Sequence, residues 1–338
     1  MSGPAPSREE ILAAIDADLI HDRPEDALAA CDAFLTREPH DAEVFHARGL
    51  CLRELDRPEE SLEAQERAIE LDPGLAEAYL EAAELWLEDL GDEVKALEVA
   101  RRGGRRLEEP SHRAELLLLK AAALSGLEDY HGALRVLEEA EKLQPDHADL
   151  RIERAQVLVE LSRMEDAEVA LRACLDREDI GARAHQLLAF VLDYTGRRAE
   201  ATGHFQAAAE ADPELAPLPP RLGEDEFEAV VDAALKAIPE RFAGNLSNVE
   251  ISVEDYPDRE FCRRHDCGPM TLGLFIGRSP TDPREGELPD RIVLFQRCLE
   301  NVVGHPDELV EEIGVTVRHE VGHALGLDEH DLIDAGHG

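Results

Sequence analysis

Between residues 8 and 213, apolar positions recur at the spacing of amphipathic helices, in pairs of short blocks separated by polar turns. Small residues mark the second block of each pair: Ala27, Ser61, Ala96, Ala133, Ala167 and Ala201. Prolines close most of the same units, at Pro39, Pro73, Pro110, Pro145 and Pro213. Both series hold a period of roughly 34 residues, with small slips in the third and fourth units. The second unit, "AEVFHARGLCLRELDRPEESLEAQERAIELDP", predicts a first helix with Phe45, Gly49 and Leu52 on one face. A turn follows at Asp56-Arg57-Pro58, where proline suits the first turn of the next helix. Ser61 and Ala68 are small enough to let the two helices approach closely. The sixth unit repeats the arrangement with Ala189, Gly196, Ala201, Phe205 and Ala208.

After Pro213 the pattern changes. "ELAPLPPRLGEDE" is proline-rich and aperiodic, which reads as a linker over 214–224. An amphipathic helix follows, with Phe227, Val230, Val231, Ala234, Leu235 and Ile238 on one side. "NVEISVED", "MTLGLFIG" and "RIVLFQ" read as three strands, with a Gly/Pro-rich excursion, "RSPTDPREGELP", before the third. A final helix is predicted from about Pro306 to Leu325, with Leu309, Ile313, Val317 and Val321 as its buried stripe. Helix, strands and helix in so short a segment imply a small α+β unit over 225–338.

Residues 8–213 resemble six tetratricopeptide repeats. The resemblance implies an α-solenoid whose concave face binds a protein partner or a peptide segment. The basic island "RRGGRR", Arg101 to Arg106, is read as a solvated helix end that offsets neighbouring acids.

Composition narrows the partners. A formal net charge of -41 repels nucleic acid and anionic membrane, so neither is expected. Six cysteines in 338 residues do not make a disulfide scaffold. The opening "MSGPAPSREE" lacks a basic stretch followed by an apolar run, and no segment has the length of a membrane span, so a cytoplasmic protein is expected.

The final helix carries the chemistry, in "RHEVGHALGLDEHDL". His319 and His323 are four residues apart and project from one helix face, as two ligands of a tetrahedral metal must. Glu320 is offset by one residue, beside the metal and suited to act as general base. Gly326 can take the left-handed conformation that ends the helix and turns the chain back. A third ligand is expected at that turn, with Glu329 nearest by register and His330 next. Asp328 or Asp331 would otherwise orient the histidine rings.

Residues from about 225 to 338 resemble the small zincin-like metallopeptidases, the minimal or Asp-zincins, whose pattern is H-E-x-x-H-x-x-G-x-x-D. The resemblance extends to "LPDRIVLFQRCLE", similar to the strand before the motif helix in that family. It implies one zinc ion held by His319, His323 and Glu329, where the family carries Asp, with Glu320 as the base. Met1, Met164 and Met270 all precede the motif, so the methionine turn of a metzincin is lacking.

The expected fold is thus mainly α, repeats followed by a zincin-like α+β domain. The expected activity is hydrolysis of peptide bonds through a metal-activated water, with the repeats recruiting a protein substrate or partner. His330, His337 or a backbone N–H would stabilise the oxyanion. The strand edge at Arg291–Gln296 is a candidate for pairing with an extended substrate. The alternative is a repeat scaffold whose zincin domain binds metal without catalysis. A second constellation, "CRRHDC", places Cys262, His265 and Cys267 together, with Cys298 as a candidate partner; loop cysteines without a role are the simpler reading.

Overall fold

Six helix pairs follow one another in the computed structural model, which describes residues 8–177, 180–239, 249–277 and 290–327. They are α1 (Arg8–Ile20) with α2 (Pro24–Leu35), α3 (Ala42–Glu54) with α4 (Pro58–Leu71), and α5 (Ala76–Glu84) with α6 (Glu93–Gly103). Then come α7 (Pro110–Gly126) with α8 (Tyr130–Leu143), α9 (Ala148–Glu160) with α10 (Met164–Arg172), and α11 (Gly181–Tyr194) with α12 (Arg198–Ala211). Each pair turns on one residue of positive φ: Asp22, Asp56, Gly91, Glu128, Ser162 and Gly196. The slip in the third unit has a local cause, because α5 runs on into a π-helical turn at Leu85–Asp89 before Gly91 reverses the chain.

The chain divides into two compact units, Met1–Val157 and Leu158–Gly338. In the first, Ile15, Ala27, Cys31, Phe34, Val44, Ala47 and Cys51 form one buried cluster. Within the α3–α4 pair, Ser61 Oγ donates to the Gly49 carbonyl at 2.7 Å, and Gln65 Nε2 donates to the His46 carbonyl at 3.2 Å. The basic island sits at the C-terminal end of α6, where Arg102 makes a two-pronged bond to Glu66 at 2.9 and 2.8 Å. That is the helix-end role expected of it.

In the second unit the last repeat pair leads into α13 (Glu224–Lys236) and a three-stranded sheet. Strand β1 (Val249–Glu254) runs parallel to β3 (Asp290–Phe295), and β2 (Gly273–Ile276) pairs antiparallel with its other side. Helix α16 (Pro306–Ala324) packs on this sheet, with Leu309, Ile313, Val317 and Val321 buried against Phe227, Val231, Ile292 and Leu294. The expected stripe is therefore the face that fills the core. Among the described residues, no helix is long and apolar enough to cross a membrane.

Three features depart from the sequence reading. β3 lies between β1 and β2, so both its edges are occupied and it cannot take a substrate strand. Two short helices, α14 (Arg259–His265) and α15 (Gln296–Asn301), were not anticipated, since neither is long enough to show a helical period. Cys262 lies in α14 and is buried, rather than in a loop. The excursion 278–289 lies outside the described residues.

The aperiodic segment before α13 is tied down. Leu222 N–H donates to Glu300 at 3.0 Å, and Arg221 donates to the other oxygen of the same carboxylate at 3.1 Å. Gln296 Nε2 bridges the Leu222 carbonyl and Glu300 at 3.0 and 2.8 Å. The last repeat pair joins in as well: Tyr256 donates to Asp193 at 2.8 Å and Tyr194 to the Pro257 carbonyl at 2.9 Å.

Candidate metal site

The site is built on the second half of α16, so the start of that helix matters. Pro306 opens it, His305 accepts from Asp307 N–H at 3.2 Å, and Glu308 accepts from His305 N–H at 3.1 Å. This reciprocal cap satisfies amides that a helix start leaves unpaired. The buried stripe then fixes the rotation of the helix, and with it the direction of the histidines.

His319 and His323 face each other with Nε2 atoms 3.0 Å apart and rings nearly perpendicular, at 81°. Two nitrogens bound to one ion at about 2.0–2.1 Å would stand roughly 2.9–3.4 Å apart, so the pair fits a shared metal with little movement. Beyond His323 the helix ends in a left-handed turn. Gly326 has a φ of 87°, its N–H bonds the His323 carbonyl at 2.9 Å, and Leu327 N–H bonds the Gly322 carbonyl at 3.0 Å. The turn brings the Leu327 carbonyl to His323 Nδ1 at 3.2 Å. An Nδ1–H donated there leaves the Nε2 lone pair facing His319, the tautomer a metal ligand needs.

Glu320 is only 5% exposed, and its Oε2 accepts from the Phe275 N–H at 2.6 Å. Phe275 pairs with Ile292 across the β2–β3 ladder, and its amide points away from β3 toward α16. The approach of strand to helix is close here. A Cβ at Gly273 would meet Thr316 Cγ2 at 2.7 Å and Glu320 Cγ at 3.2 Å, so β2 can lie this near α16 only with glycine at that position.

The other predicted participants, Asp328, Glu329, His330, Asp331 and His337, lie outside the described residues. Among the described residues, no group of three or more His, Cys, Asp or Glu side chains is placed to hold a metal ion. The structure thus brings together His319, His323 and Glu320, and the third ligand falls beyond what it describes. Sequence reasoning missed the Phe275 amide and the Leu327 carbonyl, because backbone groups carry no residue signature. The glycine inside "MTLGLFIG" was the available signal for the first.

Residues 246–337 match the family model of the zincin-like metallopeptidases. This region is zincin-like. Two tetratricopeptide repeat families match residues 12–76 and 124–191. Among solved structures, PilF of Pseudomonas aeruginosa is 15% identical with a TM-score of 0.53, over 66% of this chain and 96% of its own. A tetratricopeptide repeat protein from Parabacteroides merdae is also 15% identical, with a TM-score of 0.52 over 70% of this chain and 96% of its own. PilW, a type IV pilus biogenesis factor, is 14% identical with a TM-score of 0.53, over 60% of this chain and 92% of its own. At such identities the likeness shows the fold alone. A comparison with curated proteins finds no match.

The cysteines of the zincin-like region do not extend the site. Burial, with Cys267 close by, pushes the Cys262 thiol up to about 12. Burial also raises Cys267 and Cys298 above the ordinary thiol range. Among the described residues, these thiols join no group of three or more side chains placed to hold a metal ion. His265 packs against the Phe261 ring at 4.5 Å between centroids. These side chains read as packing.

Proposed function

We propose that this chain is a zinc-dependent metallopeptidase, with residues 225–338 as the peptidase and 8–213 as repeats that recruit a protein substrate or partner across the segment 214–224. The observation that carries the reading is the facing pair His319 and His323, Nε2 to Nε2 at 3.0 Å, with buried Glu320 between them in sequence. A structural site has no use for a carboxylate there.

His319 and His323 would hold one zinc ion per chain, with Glu329, or alternatively His330, as third ligand. When bound, zinc polarises the scissile carbonyl and makes water nucleophilic near neutral pH. Glu320 takes the proton of the attacking water and returns it to the leaving amine. The Phe275 N–H, by donating to Glu320, fixes the position of the carboxylate that acts as base. An extended peptide would lie along β2, the strand at the edge of the sheet order β1-β3-β2. A backbone N–H, His330 or His337 would donate to the developing oxyanion.

Glu320→Gln tests this. Zinc content by metal analysis should stay near one per chain, while peptide cleavage falls by roughly 10²–10⁴-fold. Equal cleavage by both chains would overturn the enzyme reading. Zinc binding with no cleavage of any peptide by the unaltered chain would favour the scaffold alternative.

A further inference from the structure

Two thiols meet at the end of a helix that the zincin-like site does not use. Helix α14 closes in a Schellman turn: Asp266 is left-handed, with φ 53° and ψ 51°, and Cys267 N–H donates to the Cys262 carbonyl at 3.2 Å. In such a turn the side chains at the two ends of that bond come together, a contact usually made by apolar groups. Here both are cysteines, and each thiol acts on the other through a side-chain hydrogen bond. A disulfide needs Cα atoms about 4.4–6.8 Å apart, with the side chains directed toward one another. Residues five apart in sequence meet that need where the chain folds back, as the left-handed Asp266 makes it do.

The surroundings distinguish the sulfurs. Cys262 is 6% exposed and donates to the Pro257 carbonyl at 3.8 Å, whereas solvent reaches Cys267. Burial raises the Cys267 thiol, and hydrogen bonds from Thr271 and Cys262 oppose that shift. The third thiol of the region, Cys298, is buried and donates to the Pro269 carbonyl at 3.5 Å. Cys31 and Cys51 also touch, in the first unit, but both are fully buried and closed to a reagent in the folded chain.

We propose that Cys262 and Cys267 form a modification site, a disulfide made and broken by exchange with a small disulfide such as that of glutathione. The Cys267 thiolate attacks one sulfur of the small disulfide. That S–S bond breaks, a mixed disulfide forms, and one small thiolate leaves and takes up the proton that Cys267 gave up. Cys262 then loses its proton and attacks the Cys267 sulfur, which breaks the mixed disulfide and releases the second small thiol. Two protein thiols are oxidised, and one small disulfide is reduced to two thiols. Burial makes the Cys262 step the slower one, and its contact with Cys267 offsets this. The bond would lock the turn between α14 and β2, the strand that carries Gly273 and Phe275.

The full folded chain, held in glutathione disulfide and then blocked with N-ethylmaleimide in urea, tests this without any assay of cleavage. Trypsin cuts after Arg263 and Arg264, so Cys262 and Cys267 leave on separate peptides that the bond alone holds together. Mass spectrometry should find that linked pair, with four of the six cysteines blocked, and dithiothreitol should release it. Cys298→Ser should still give the linked pair, and Cys267→Ser should not. A chain that stops at a glutathione adduct, joins Cys262 to Cys298, or links the pair only after unfolding overturns the proposal. If either variant does not fold, the linked peptides of the unaltered chain decide alone, and their absence overturns the site.

Discussion

The second repeat pair and the zincin-like region each bury a polar cluster, and they satisfy it in opposite ways. In the repeat, Ser61 and Gln65 are fully buried, neutral, and bonded to carbonyls at most 19 residues away in the same helix pair. In the zincin-like region, Glu300 is also fully buried, but it is charged and its donors include Arg221, 79 residues earlier in the chain. Leu222 N–H, Gln296 and Arg297 complete the set. A repeat can be held by local neutral bonds because each pair leans only on its neighbours. The zincin-like region must fasten a proline-rich segment with no helix or ladder of its own, and a buried carboxylate is an acceptor with room for several donors.

The difference is broken most sharply by Glu300→Ala. Removing one partner of a buried charge cluster strands the others. Here Arg221 and Arg297 keep some access to water, with side chains 32% and 21% exposed, which limits the damage. The loss should be about 3 kcal/mol, at the lower end for such clusters. Urea unfolding followed by a probe in residues 158–338 measures it, and a loss under about 1 kcal/mol would mean the cluster is not what holds the segment.

Gly273→Val comes next. Its side chain would need the space of Thr316 Cγ2, so β2 and α16 must separate. Overpacking of this kind costs about 1–3 kcal/mol. Because the Phe275 amide moves with the strand, peptide cleavage should fall further than stability does. Unchanged cleavage in a chain that still folds would sever Phe275 from the function of Glu320.

Legibility followed the range of the contacts. The helix pairs, their turns and the His319–His323 pair all repeat at intervals set by one helix or one hairpin, so spacing in the sequence reported them. The Schellman turn at Gly326 was legible for the same reason. The order of the strands was not. β3 follows β2 in sequence and pairs with it, yet its other neighbour is β1, and no turn or spacing around "RIVLFQ" reports that pairing. Its full burial from Ile292 to Phe295 is the trace left in the sequence: four consecutive apolar residues without alternation. The Glu300 network was equally hidden, since the glutamate looks like any other acid in a chain of net charge -41.

Gln65→Ala probes the neutral side of the comparison. Gln65 Nε2 serves the His46 carbonyl, and its Oε1 lies 2.9 Å from His46 Nδ1. No charge is stranded, so the loss should be about 1–2 kcal/mol and confined to residues 1–157. Thermal melting with cleavage assayed in parallel checks this. A fall in cleavage of a short peptide would contradict the confinement.

Glu160→Gln is the smallest effect and has the opposite sign. Glu160 ends α9, where a Cβ at Gly268 would stand 2.7 Å from its Oε2, and no described residue donates a hydrogen bond to it. Unlike Glu300, it has burial without donors, and burial raises its pKa above the ordinary carboxylate range. In the window between the ordinary and the raised value the folded chain binds more protons than the unfolded one, so stability falls as pH rises through it. Above that window the folded state carries an ionised carboxylate it holds poorly. The glutamine variant should be more stable than the unaltered chain at pH 7, by under about 1 kcal/mol, and the advantage should vanish as pH falls through the carboxylate range. Melting of both chains across that range gives the difference directly. A variant that is less stable at pH 7 would mean that the ionised carboxylate finds a partner in solution.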